Sequence, residues 1–83
     1  MNDAEFLKLH TSCVTAFRIY VAAAETTATM LGECTANPLP LAKRLELMLH
    51  ENDENSAHRT YLSTKRLLHD AALRGYGGYS NSN

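Results

Sequence analysis

Apolar and polar positions along the chain sort into two long periodic segments separated by one break. From residue 3 to about 33 the polar side chains Lys8, Thr11, Ser12, Thr15, Arg18, Glu25, Thr26, Thr29 and Glu33 recur at helical spacing, with no proline and no glycine before Gly32. Between them runs a broad arc of apolar or small residues: Phe6, Leu7, Cys13, Val14, Phe17, Tyr20, Val21, Ala24, Ala28 and Leu31. This pattern predicts a helix over about 3–33. Asp3 is its expected N-cap, because a carboxylate there accepts the unpaired backbone N–H groups of the first turn. Alanines at 16, 22, 23, 24 and 28 leave room for a second backbone to come close.

The break is "TANPLP", residues 35–40. A residue before proline is pushed out of the α region, and proline itself suits the first turn of a helix. A second helix is therefore expected over about 39–74. Leu41, Leu45, Met48 and Leu49 open it as an apolar face, and Tyr61, Leu62, Leu68, Ala71 and Ala72 follow further on. Arg59, Ser63, Arg66, Asp70 and Arg74 form the opposite polar stripe. Gly75 offers a C-terminal cap. Residues 76–83, rich in Gly, Ser, Asn and Tyr, read as a flexible tail.

The difficult stretch is "HENDENSAH", residues 50–58. Asn, Asp and Ser favour caps and turns. From Leu49 to Ala57 the apolar phase also slips by about 80°, so 51–56 is where the second helix would break. Against a break, no glycine or proline lies between Leu41 and Arg74, and Leu47, Tyr61 and Leu68 share a face. Glu46–His50, Glu54–His58 and Asp70–Arg74 are acid-first i,i+4 pairs, the favourable orientation on a helix. A continuous second helix would also match the first in length. The balance favours one helix, and the expected fold is all-α: an antiparallel helical hairpin forming a single domain over residues 1–75.

A hairpin covers only one side of the broad arc on the first helix. A chain of 83 residues has a marginal core, and such domains recruit disulfides, metals or partner chains. The expectation is a homodimer forming a four-helix bundle, with Phe6, Cys13, Phe17, Tyr20, Ala24 and Leu31 at the interface. The alternative is a monomeric three-helix bundle, with the second helix folded back on itself at 51–56.

Candidate chemistry changes this picture little. Cys13 and Cys34 on one helix would stand about 31 Å apart, against the roughly 7 Å a disulfide tolerates. Two reduced thiols are expected in a reducing, cytoplasmic compartment. The start "MNDAEF" is acidic where a signal peptide is basic. The apolar run "IYVAAA" falls far short of the roughly 20 residues of a membrane span, so no membrane association is expected. A net charge of −1 gives nucleic acid no long-range attraction. Arg59, Lys65, Arg66 and Arg74 are expected to be neutralised across the hairpin by Asp3 and Glu5.

Glu46, His50, Glu54 and His58 would be the ligands of an alternative reading, a metal-binding helical bundle. His50 and His58, however, stand about 12 Å apart along a helix axis, too far for one ion to be held by both. Both spacings are Glu-x-x-x-His, whereas carboxylate-bundle sites use Glu-x-x-His. Cys34 near a helix C-terminus meets the negative end of the dipole, which disfavours a thiolate. His69 and Asp70 are adjacent, and i,i+1 side chains do not face each other on a helix. The sequence therefore points to no catalytic residue and no cofactor. The expected function is a small non-enzymatic interaction or assembly protein: an adaptor, an inhibitor or an oligomerisation module.

Overall fold

A computed structural model describes residues 2–74. It consists of α1, Asp3–Glu33, and α2, Leu41–Arg74, packed along their lengths as an antiparallel hairpin. At roughly 1.5 Å per residue the helices are about 46 and 51 Å long. Gly75 and the tail over 76–83 lie outside the described residues.

Asn2, not Asp3, caps α1. Its side-chain oxygen accepts the Glu5 N–H at 2.8 Å, and the Glu5 carboxylate accepts the Asn2 N–H at 3.3 Å. This reciprocal box satisfies two backbone donors at once, which a cap shifted by one residue would not. Asp3 becomes the first helical residue, where its charge still complements the helix dipole. At the far end the Cys34 N–H donates to Leu31 O at 3.1 Å and the chain leaves the helix extended. The connection contains a cis Asn37–Pro38 peptide. α2 begins at Leu41, after both prolines rather than at Leu39, and the Arg44 N–H donates to Pro40 O at 3.0 Å.

α2 runs unbroken through 51–56. A monomeric three-helix bundle would need a break there, so the chain is a two-helix hairpin. The helix continues because its inward positions never lose step with α1. On α2 these positions are Leu47, His50, Glu54, Ala57, Tyr61, Thr64, Leu68 and Ala71, all buried or half-buried. On α1 they are Phe6, Leu9, Cys13, Ala16, Tyr20, Ala23, Thr27 and Met30, also all buried or half-buried. Both sets advance by alternating steps of three and four, the 3.5-residue period of a coiled-coil seam.

The face formed by Leu41, Leu45, Met48 and Leu49 is therefore not the one α2 turns toward α1. All four side chains are more than half exposed. Small residues opposite the polar stretch explain the choice. Where α2 presents His50 and Glu54, α1 presents Ala23 and Thr27, which admit a close approach without large apolar partners. The Thr27 side chain is 4% exposed, and its hydroxyl lies 3.1 Å from Ala23 O and 3.3 Å from His50 O. Ring contacts fix the rest of the register. Tyr20 stacks on His58 at 4.7 Å and on Tyr61 at 6.1 Å, and Phe17 tilts onto Tyr61 at 5.1 Å.

Candidate interaction surface

Moving one residue along α1 from each seam position rotates the side chain by about 100°. The residues reached are Leu7, His10, Val14, Phe17, Val21, Ala24, Ala28 and Leu31. They form a second heptad stripe beside the first. Leu7, Phe17 and Leu31 are 62, 45 and 50% exposed, and Val14, Val21 and Ala24 are half-buried. The same shift on α2 reaches Met48, Glu51, Asn55, His58, Leu62, Lys65, His69 and Ala72, all exposed and mostly polar. The two stripes share one side of the hairpin, because Phe17 leans on Tyr61 and Tyr20 stacks on His58.

On the opposite side Ile19 borders a shallow groove with Ala16, Asp53, Ser56, Ala57 and Thr60, and further along lie Glu25, Thr26, Thr29 and Glu33. Exposed Leu49 and Leu67 also stand on that side. The continuous apolar stripe is the one on α1, from Leu7 to Leu31.

The broad arc of α1 thus resolves into two seams. Of the residues expected at an interface, Phe6, Cys13 and Tyr20 lie in the inner seam against α2. Phe17, Ala24 and Leu31 lie in the outer stripe. Leu7, Val14 and Val21 of the same arc, and on α2 Met48 and Leu62, also belong to that outer face, beyond the six residues expected there. The signal was present as a second 3–4 spacing displaced by one residue from the first.

The charge ladder on α2 is split rather than solvated as a unit. His50 and Glu54 are half-buried toward α1, while Glu46 and His58 are exposed. Among the described residues no three His, Cys, Asp or Glu side chains converge as metal ligands. Glu46 pairs with Lys43 at 3.4 Å on the exposed surface, a contact of little stabilising value. Arg74 donates to the Asp70 backbone oxygen rather than to its carboxylate.

The basic residues of α2 are not neutralised as expected. With Phe17 beside Tyr61, Arg59 and Arg66 fall beside roughly residues 12–19 of α1, while Asp3 and Glu5 fall near Arg74. Among the described residues Arg59, Lys65 and Arg66 form no ion pair, and Lys65 instead lies 5.9 Å over the Tyr61 ring. Lys8 and Arg18 add positive charge to the same half of the hairpin.

Cys13 and Cys34 are both free thiols. Cys34 donates its S–H to Met30 O at 3.1 Å, as a helix-end side chain does. Among the described residues no helix is long and apolar enough to cross a membrane. Compared with protein-family models, curated proteins and solved structures, the chain matches none of them.

Proposed function

We propose that the chain is a small non-enzymatic assembly module that acts as a homodimer, closing its apolar outer face against a second copy. The observation that carries this reading is the outer stripe of α1, where Leu7, Phe17 and Leu31 stand about half exposed, while among the described residues no large side chain is fully buried. Leaving each such residue half in water forfeits about half of the roughly 1.5–3 kcal/mol that full burial gives. A domain whose total stability is on the order of 5–15 kcal/mol is poorly placed to forgo several of them. Two hairpins that share this face become a four-helix bundle with a continuous core. The two free thiols fit a reducing compartment, and the cytoplasm is the proposed location.

An adaptor or inhibitor would use the same face to hold an amphipathic helix of another protein. Light scattering after size exclusion separates the two on the purified chain alone. The homodimer reading expects the mass of two chains at micromolar concentration and a melting temperature that rises with concentration. A well-folded monomer whose melting does not depend on concentration refutes it.

A further inference from the structure

We propose that the two copies pair antiparallel, with α1 on the partner's α1 and α2 on the partner's α2. The two-fold axis crosses the hairpin at the level of residues 19 and 60. This rests on the homodimer reading and adds to it the direction and register of the contact.

The first argument is angular. The outer stripe lies one residue, or about 100°, from the inner seam. That is close to the right angle between a helix's two neighbours in a square four-helix bundle. α1 can therefore serve α2 with one stripe and a second helix with the other.

The second argument is the match of side chains. An axis at residue 19 sets Phe17 on the partner's Val21, Val14 on the partner's Ala24 and His10 on the partner's Ala28. Leu7 then meets the partner's Leu31 at the ends. Large residues face small ones along the middle, and the pattern is its own complement. An axis at residue 60 pairs the α2 stripe with itself. It sets Met48 on the partner's Ala72, Leu62 on the partner's His58, Glu51 on the partner's His69 and Asn55 on the partner's Lys65, so that polar residues meet polar ones. These two axis positions are one axis, because Phe17 beside Tyr61 and Tyr20 beside His58 place residue 19 opposite residue 59 within about one position.

The competing arrangement runs the two-fold axis along the hairpin, with loops together and α1 on the partner's α2. It sets Phe17 on the partner's Leu62 and Leu31 on the partner's Met48, but also Val14 on the partner's Lys65 and Ala28 on the partner's Glu51. Two apolar positions would then cover two charges, which burial disfavours.

The third argument is charge. The half of the hairpin nearer the connection, residues 20–56, holds six acids and two bases. The open half, residues 3–19 and 57–74, holds six bases and three acids. Antiparallel pairing lays each acidic half on a basic one, whereas the loops-together arrangement lays like on like. Complementary potentials of this kind select orientation. The area suffices: a face as long as α1 and 19 Å wide matches the roughly 800 Å² per partner of a standard interface.

Cysteine cross-linking tests the register. In a Cys13→Ala, Cys34→Ala background, a Leu7→Cys chain is refolded together with a Leu31→Cys chain and mildly oxidised. Circular dichroism checks that both remain helical. The expected result is a covalent dimer in the mixture and none in either variant alone, because two copies of position 7 stand about 36 Å apart against the roughly 7 Å a disulfide permits. Val14→Cys with Ala24→Cys gives a second pair that must behave the same way. If light scattering shows a dimer and Leu7→Cys links instead to Ala72→Cys, or to neither, the register is wrong while the dimer stands. A monomer overturns both.

Discussion

The hydroxyl of Thr27 on α1 lies 3.3 Å from the backbone carbonyl oxygen of His50 on α2. A side chain that short reaches the neighbouring backbone only where the two helices run close together. The same hydroxyl also reaches Ala23 O within its own helix, so its proton is shared between the helices. The polar stretch of α2 is thus seated by small residues of α1 rather than by apolar contacts of its own.

Close approach makes the seam intolerant of added volume. Ala16→Leu and Ala23→Leu are each expected to destabilise the hairpin by about 1–3 kcal/mol, the usual effect of overpacking. Thr27→Val keeps the shape and removes the donor, so its expected cost is smaller, about 1 kcal/mol. Urea denaturation of the three variants ranks them. A neutral or stabilising Ala16→Leu would mean that the helices do not approach closely at this level.

Helix continuity through 51–56 is tested at Asp53, which is exposed and lies outside the seam positions. Asp53→Pro removes a backbone hydrogen bond and clashes with the preceding turn, an expected loss of about 3 kcal/mol or more. In a loop the same change would cost little. A thermal midpoint unmoved by Asp53→Pro contradicts a continuous α2.

The hairpin itself was legible in the sequence, because the break at Pro38 and Pro40 and the absence of any other breaker leave few alternatives. The inner face of α2 was not. Hydropathy draws the eye to Leu41, Leu45, Met48 and Leu49, yet the helix turns Leu47, His50 and Glu54 inward. A single helix cannot reveal this, since the choice depends on what α1 offers across the seam. Only the two 3–4 spacings taken together, from Phe6 to Met30 and from Leu47 to Ala71, identify the pair. The width of the arc on α1 did signal a second contact, although its division into an inner and an outer stripe emerged only once Tyr20 was seen against His58 and Phe17 beside Tyr61. The N-cap was missed by one residue because Asn2 and Asp3 are both good caps, and the position of Glu5 three residues after Asn2 decides between them.

That cap gives a local test. Asn2→Ala should cost about 0.5–2 kcal/mol, as removal of an N-cap side chain does. Asp3→Asn should cost only about 0.3–1 kcal/mol, since it removes a charge from the first turn and leaves the box intact. Chemical denaturation of both variants shows the order. A larger loss from Asp3→Asn than from Asn2→Ala would move the cap back to Asp3.

The two-sided character of α1 yields the sharpest contrast, between Phe17 and Ile19. Both are large apolar residues near the middle of the helix, 45 and 58% exposed. They lie two positions apart, about 200° around the axis, so they occupy opposite sides of the hairpin. Phe17 belongs to the apolar outer stripe, and Ile19 borders the groove with Asp53 and Thr60 on the other side. If the outer stripe is the dimer contact, Phe17→Asp places a charge at its centre and should abolish the dimer. Because Phe17 also touches Tyr61, some loss of hairpin stability should accompany it. Leu31→Asp, half exposed at the far end of the same stripe, should weaken the dimer with less effect on the hairpin. Ile19→Asp should leave the mass unchanged, since its side chain is 58% exposed and faces away from the outer stripe. Light scattering on the three variants, with circular dichroism to confirm helicity, reads the outcome directly. Dissociation by Ile19→Asp as complete as that by Phe17→Asp would show that the association does not run through the outer stripe.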